Sequence, residues 1–211
     1  MTRATLISAA LLVASNAACH RAAPTGSPAS DAVVRPLAVY ATQRIVLAPT
    51  ARVRSDTSAQ FRALGTTRMI GMLLDGSIIG QLRERGLADR WVLPADLMRS
   101  YERNRIYAPD PYQLSIEPLR PATFVAGSKF GEPLSSQLRT MIALHEDARI
   151  VLLPIELHFE GTRAVLRAAL LDPRSAEARW VGTIKSDSST NTAAFAMTQV
   201  AHRLVNLFVA P

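Results

Sequence analysis

The fold is decided by residues 149–186, which read RIVLLPIELHFEGTRAVLRAALLDPRSAEARWVGTIKS. Three runs rich in apolar residues, at 149–160, 162–172 and 178–186, are separated by two segments with the composition of turns. Gly161 and Thr162 form the first connection, and an Asp-Pro pair begins the second at residues 172–177. Because strands of this length joined by short turns pair with their neighbours, the pattern predicts a three-stranded antiparallel meander.

The first of these runs alternates between apolar and polar side chains in its second half. Successive side chains of a strand point to opposite faces of the sheet. The apolar set is Ile155, Leu157 and Phe159, and the polar set is Glu156, His158 and Glu160. The alternation therefore predicts a strand with one buried face and one solvated face.

The polar set is also the sharpest candidate for chemistry in the chain. Two carboxylates beside an imidazole could hold a divalent metal or share a proton. Alternate side chains on one strand are about 6.5 to 7 Å apart, which is wide for one metal unless other elements contribute ligands. A solvated polar row is the alternative interpretation of Glu156, His158 and Glu160.

The segments that precede and follow the meander supply helices and further strands. Helices are predicted over residues 66–85, 94–104, 134–146 and 192–209, and in the first and last of them apolar residues recur every three or four positions. Short strands are predicted at 43–50 and 90–94, and residues 51–66 are assigned to a polar connection. This order predicts an α/β (α+β) fold: a mixed sheet that ends in a three-stranded antiparallel meander, flanked by amphipathic helices including a C-terminal one.

The hairpin between the last two strands carries a short motif, formed by Asp172, Arg174, Ser175 and Trp180. With the preceding LLPIEL strand and the final helix, it resembles the small periplasmic lipoprotein domains of the CsgG and LpoB type, which are similar to the N-terminal domain of TolB. The resemblance spans residues 43–209 and implies a non-enzymatic role in envelope assembly or regulation. On the residues alone, Asp172 and Arg174 are expected to fix the turn, and Trp180 is expected to anchor in the core.

The N-terminus has the layout of a bacterial export signal. A positively charged start at residues 1–3 is followed by an uncharged apolar run at 4–14, too short for a permanent membrane span. Small residues then precede Cys19, the only cysteine, in a pattern that resembles a lipobox. Residues 1–18 are therefore predicted to be a signal peptide of the lipoprotein type. Asn16 stands where a lipobox has an aliphatic residue, and ordinary cleavage after Ala17 is the alternative.

The segment after Cys19 separates the predicted anchor from the folded part. Residues 19–42 are rich in Pro, Ser, Ala and Gly and are predicted to form a flexible tether. Residues 43–211 are predicted to form a single α/β domain. An acylated Cys19 followed by a tether would hold this domain on the periplasmic face of the envelope, anchored in the outer membrane.

Composition excludes several function classes. The formal net charge is +7, but only Lys129 and Lys185 are lysines, and the arginines are dispersed among acidic residues. Nucleic-acid binding needs a clustered basic stripe, so no nucleic-acid partner is predicted. A single cysteine cannot form an internal disulfide or a multi-cysteine zinc site. No metal or other cofactor is predicted, and the chain has no Gly-x-Ser-x-Gly elbow.

The least regular part of the predicted domain lies at residues 107–133, which contain five prolines. Long irregular segments inside compact folds often carry binding sites. Its aromatic residues are the candidate partner surface: Tyr107, Tyr112, Phe124 and Phe130.

Three functions remain open from the sequence. The first is a non-enzymatic envelope lipoprotein whose domain binds a periplasmic or outer-membrane protein. The second is a soluble periplasmic enzyme, metal-dependent or hydrolytic, that uses the polar row of the first meander strand. The third is a domain that binds anionic glycan or lipopolysaccharide through its dispersed arginines. The sequence leaves the oligomeric state open.

Overall fold

The computed structural model describes residues 35–54, 59–187 and 192–209. Their strands are β1 (Ile45–Leu47), β2 (Trp91–Val92), β3 (Ile150–Glu160), β4 (Arg163–Asp172) and β5 (Glu177–Lys185). They form one sheet in the order β2-β1-β3-β4-β5. β1 is parallel to β2 and β3, whereas β3, β4 and β5 pair antiparallel with one another in sequence order. The predicted mixed sheet, its antiparallel meander and the α+β class are confirmed.

Five α-helices flank the sheet in the described ranges. They are α1 (Ala59–Ala63), α2 (Thr67–Glu84), α3 (Pro94–Arg103), α4 (Leu134–Ala143) and α5 (Ala193–Asn206). The side chains of Thr66 and Thr192 cap α2 and α5, each accepting a hydrogen bond from a backbone N–H three residues on. The sequence missed α1, which lies in the predicted polar connection, because five residues are too few to show helical periodicity. No described helix is long and apolar enough to cross a membrane.

The helices cover both faces of the sheet and create two apolar cores. The first core joins α2 and α5 to one face, through residues that include Ile70, Leu74, Val200, Leu204, Leu152 and Leu166. The second joins α3, α4 and the segment 105–133 to the other face, through residues that include Leu97, Leu119, Leu138, Val46, Val151 and Leu153. Every residue of β1 is buried, as expected for a strand that is covered on both faces.

A β-bulge in β3 changes which face its side chains occupy. The pairing with β4 shifts by one residue between Pro154 and Glu156, so Ile155 is the extra residue. Ile155 packs in the second core, whereas Leu157 and Phe159 pack in the first. The expectation that these three side chains share one face is wrong, because the bulge interrupts the alternation that the sequence pattern assumes.

Folded structure begins before residue 43. A 3-10 helix covers Ala38–Tyr40, and Leu37 is buried in the first core. The backbone N–H of Leu37 donates to the carbonyl of Leu207, at 3.2 Å, just after α5. The domain thus includes residues 35–42, which the sequence assigns to the tether. The composition of this segment does not show that Leu37 packs at the end of a distant helix. The predicted signal peptide, Cys19 and the tether up to residue 34 lie outside the described residues.

Candidate functional site

A pocket of about 320 Å³ opens beyond the carboxyl end of β1. Its walls come from the chain that follows β1, from α2, from α3 and from a loop at residues 110–113. Buried Gly71 and Asp75 form its inner end, and exposed Thr67, Arg68 and Met72 lie at its opening. Ligands of open α/β sheets bind outside the carboxyl ends of parallel strands, which is where this pocket lies.

The inner end of the pocket carries a buried carboxylate. Asp75 is only 5% exposed. Its Oδ1 accepts two hydrogen bonds from Thr50, at 2.9 Å from the backbone nitrogen and 2.6 Å from Oγ1. Among the described residues, no group donates a hydrogen bond to Oδ2 of Asp75. This second oxygen is available to a donor that enters the pocket.

The local sequence places this carboxylate and keeps space beside it. Thr50 follows Pro49 where the chain leaves β1, and Asp75 lies one turn of α2 after Gly71. A Cβ added at Gly71 would lie 3.7 Å from Cγ2 of Val53 and 3.8 Å from Cβ of Thr50. Because Gly71 has no side chain, the space between α2 and the chain after β1 stays open.

The electrostatics of the pocket are set by two carboxylates, one arginine and one phenol. Burial raises the pKa of Asp75 to about 6, although the hydrogen bonds from Thr50 act in the opposite direction. Burial, followed by the negative charge of Asp75, raises the pKa of Tyr112. The Arg68 guanidinium lies over the Tyr112 ring, 5.7 Å from its centroid, and Asp110 accepts a hydrogen bond from the Tyr112 backbone at 2.9 Å.

This arrangement can hold a positively charged or hydrogen-bond-donating group against Asp75. A carboxyl group whose pKa is about 6 can also exchange a proton near neutral pH. The described residues that line the pocket include no histidine, cysteine or lysine that could act with it as a second acid, base or nucleophile. Asp110 and Tyr112 are the other titratable groups with an acidic proton on its lining.

The predicted polar row of β3 lies among charged neighbours. Arg52 Nε is 3.4 Å from Glu156 Oε2, and Lys185 Nζ is 3.4 Å from Glu160 Oε2. His158 Nε2 lies 3.5 Å from Glu160 Oε1. In the part of the chain that the structure describes, no group of three or more His, Cys, Asp or Glu residues is placed to hold a metal ion. The structure brings the row together as paired charges on a solvated face.

The predicted partner surface is divided between the exterior and the core. Tyr107 is 78% exposed, and Tyr112 lines the pocket. Phe124 and Phe130 are only 5% and 3% exposed and pack in the second core. Their assignment to a partner surface is wrong, because the proline-rich segment covers one face of the sheet and supplies apolar side chains to the core beneath it.

Arg167 of β4 fastens this segment to the sheet. Its guanidinium donates to the backbone carbonyls of Arg120, Pro121 and Phe124, at 2.8, 2.8 and 2.9 Å. One side chain thus satisfies three carbonyls of an irregular segment that lacks a strand partner there. These hydrogen bonds hold residues 120–124 against the sheet, so the segment is a structural part of the domain.

The hairpin motif lies at the turn between β4 and β5. Asp172 Oδ1 accepts from the backbone nitrogens of Arg174 and Ser175, at 3.0 and 3.3 Å, and Oδ2 accepts from Arg179 at 2.6 Å. Burial raises the pKa of Asp172, but these hydrogen bonds outweigh burial and hold the pKa below its usual value. Arg174 takes part through its backbone, and Trp180 is partly buried against the first core. Asp172 orders the turn through its hydrogen bonds with Arg174 and Ser175, and neither these residues nor Trp180 line the pocket.

Sequence reasoning missed Thr50 and Asp75. A signal for Asp75 was present, because it is the only charged residue between positions 69 and 82, a stretch in which α2 is otherwise apolar, small or amidic. A lone carboxylate on the buried side of an amphipathic helix needs a partner. The identity of that partner could not be predicted, since Thr50 lies 25 residues earlier in the chain.

No protein-family model matches the sequence, and no curated protein matches it. Among solved structures, the chain is similar to the PelC dodecamer from Paraburkholderia phytofirmans, with 15% sequence identity and a TM-score of 0.39, over 82% of this chain and 93% of that chain. It is also similar to the LpoB C-terminal domain from Salmonella enterica, with 12% identity and a TM-score of 0.39, over 74% of this chain and 96% of that chain. LpoB is one of the types that the hairpin motif resembles. Similarities of this size carry no argument about what the chain binds.

Proposed function

We propose that this chain is a non-enzymatic protein of the bacterial envelope whose domain binds another envelope protein. An acylated Cys19 would hold the domain at the membrane, on its periplasmic face. The binding role is supported by one observation above all, an exposed apolar surface on the outer side of α2. This α2 surface consists of Met69, Met72 and Leu73.

The α2 surface is not required by the core of the domain. Its three side chains are between 47% and 54% exposed and share one side of the helix, at i, i+3 and i+4. The opposite side of α2 packs in the first core through Ile70 and Leu74. A helix that is covered by its own domain on one side normally carries polar residues on the other, so an apolar outer side marks a contact surface. Methionine side chains adapt readily to a partner.

Charge around the α2 surface favours an acidic partner. Arg62 in α1 and Arg68 in the first turn of α2 are both exposed. A Cβ built at Gly65 would lie 3.0 Å from Sδ of Met69, which places the end of α1 directly beside the apolar residues. The complementary partner is a protein with an apolar patch bordered by carboxylates.

The dispersed arginines offer less support for binding an anionic glycan. Arg139 pairs with Glu132 at 2.8 Å, and Arg179 pairs with Asp172 at 2.6 Å. The guanidinium of Arg167 donates its hydrogen bonds to backbone carbonyls. These three guanidinium groups are already occupied by the protein, which makes them poor anion receptors.

Site-specific crosslinking tests the α2 surface. With a photoreactive amino acid at Leu73, in cells that export the full chain, we expect one discrete adduct with an envelope protein. The same residue at Leu144, which is exposed at the end of α4, is the matched control and should give no such adduct.

The captured protein is then purified and titrated with the full chain. Leu73→Glu places a charge on an apolar contact of the α2 surface, at a residue that does not line the pocket, and should weaken binding at least tenfold, which is about 1.4 kcal/mol. Leu144→Glu should leave the affinity unchanged. Equal affinities for the wild type and Leu73→Glu would show that the α2 surface is not the binding site.

Anchoring has its own test. We expect radiolabelled palmitate to be incorporated into the wild-type chain and incorporation to be lost in Cys19→Ala, because Cys19 is the only thiol that an acyl transfer could use. Export is checked in both proteins by protease accessibility in spheroplasts. An exported wild-type chain without label would mean that the leader is cleaved in the ordinary way and the protein is not lipid-anchored.

A further inference from the structure

We propose that the pocket beyond the carboxyl end of β1 binds a primary ammonium group on an alkyl stem, with Asp75 Oδ2 receiving the ammonium. The proposal goes beyond the protein-binding function and does not depend on it. The same ammonium chemistry is found in free alkylamines and in lysine side chains, and the test below separates the two sources.

The first argument is the unused half of a buried carboxylate. Oδ1 of Asp75 is satisfied by Thr50, while Oδ2 receives no hydrogen bond from the described residues. Burial makes this charge costly, and Oδ2 is not fully enclosed by the described residues, so a cation in the pocket can reach it and compensate the charge. An ammonium group supplies both the positive charge and the missing donors.

The second argument is the balance of charge in the pocket. The charged or titratable groups that line it are Asp75 and Arg68 on α2, and Asp110 and Tyr112 on the loop. The lining residues from α3 and from the chain after β1 carry no charge. Arg68 is exposed at the opening, where its guanidinium lies over Tyr112, so the inner end is negative. This arrangement repels anions from the inner end and attracts cations to it.

The third argument is the nature of the walls. Ala51, Val53 and Met98 present apolar surface to the pocket, and Met72 does so at its opening. A volume of about 320 Å³ is at the small end of the range for ligand sites, about 300 to 1,000 Å³. The lining also includes Thr67 and Gln113, and this mixed wall with one buried carboxylate suits an alkyl chain with a terminal ammonium. It does not suit a hydrated inorganic cation, which takes several oxygen ligands.

Titration of the full chain with n-butylammonium, followed by NMR, tests the proposal. At pH 7.5 we expect saturable shifts of the Thr50 amide and the Tyr112 ring, and no saturable shifts with neutral n-butanol. Asp75→Asn keeps an oxygen that accepts both Thr50 hydrogen bonds but removes the charge, and it should weaken binding at least tenfold. Asp89→Asn, on an exposed residue outside the pocket, is the matched control and should bind as the wild type does.

The pH dependence provides an independent readout. The ammonium binds the ionised carboxylate, and the pKa of Asp75 is about 6. Binding at pH 5 should therefore be about tenfold weaker than at pH 7.5, and Asp75→Asn should show no such change. Titration with the blocked tripeptide glycyl-lysyl-glycine identifies the source: tighter binding than butylammonium assigns the site to protein lysines, and weaker binding assigns it to free amines. Binding that is equal for n-butanol, or unchanged in Asp75→Asn, would overturn the proposal.

Discussion

Replacing Phe130 with alanine is expected to lower the free energy of unfolding by about 3 to 5 kcal/mol. Phe130 is 3% exposed and packs in the second core with Leu119 and Leu138. Removing its ring loses the transfer free energy of the buried surface and leaves a cavity between the 105–133 segment and the sheet. Urea unfolding followed by circular dichroism measures the change through the shift of the midpoint.

Tyr107→Ala is the matched control, because both residues were assigned from sequence to one partner surface. Tyr107 is 78% exposed, so its removal should change the free energy of unfolding by less than about 0.5 kcal/mol. If Phe130→Ala were as stable as Tyr107→Ala, the packing of the 105–133 segment on the sheet would be refuted. The same burial means that deletion of residues 107–133 would unfold the domain, so a partner surface in this segment must be sought with point variants at exposed positions.

Asp75→Asn is expected to stabilise the domain at pH 8 by about 3 kcal/mol and to have little effect near pH 4. The pKa of Asp75 is raised from 3.8 to about 6 by burial, so the folded state binds this proton more tightly than the unfolded state does. Between pH 3.8 and about pH 6, ionisation of the Asp75 carboxyl therefore lowers the stability of the wild type by about 1.4 kcal/mol for each unit by which the pH rises. Asparagine does not titrate, so the variant lacks this loss.

Denaturant unfolding at pH 4, 6 and 8 measures the effect, with Asp89→Asn as the control for loss of one surface carboxylate. We expect the difference in stability between Asp89→Asn and the wild type to stay constant across this range, while the stability of Asp75→Asn relative to both increases with pH. A constant difference between Asp75→Asn and the wild type at all three pH values would mean that the Asp75 carboxyl titrates normally. Such a result would not contradict the hydrogen bonds from Thr50, because the side-chain oxygen of asparagine can accept both.

The meander shows what local pattern can determine. Strand-length apolar runs and the turn residues around Gly161 and Asp172 predicted β3, β4 and β5 to within a few residues of their observed bounds. The apolar periodicity of residues 66–85 likewise predicted α2. These features depend on residues that are only a few positions apart in the sequence, so the pattern of the sequence shows them directly.

The candidate site shows the opposite case. Asp75 is visible in the sequence as a lone charge in an apolar helix, but its hydrogen bonds to Thr50 cross from α2 to the chain after β1. The bulge at Ile155 likewise depends on the register between two strands, which no single strand reveals.

By itself, then, the sequence determined the meander, the amphipathic helices and the α+β class. Only the tertiary structure decided that Phe124, Phe130 and Leu37 are core residues, that a pocket forms over Asp75, and that the outer side of α2 is left uncovered. The physical reason is that a side chain is buried only when a second surface, from another part of the chain, covers it. A phenylalanine in a proline-rich segment has the same local sequence whether it meets water or a sheet, and the long-range packing of the chain decides which.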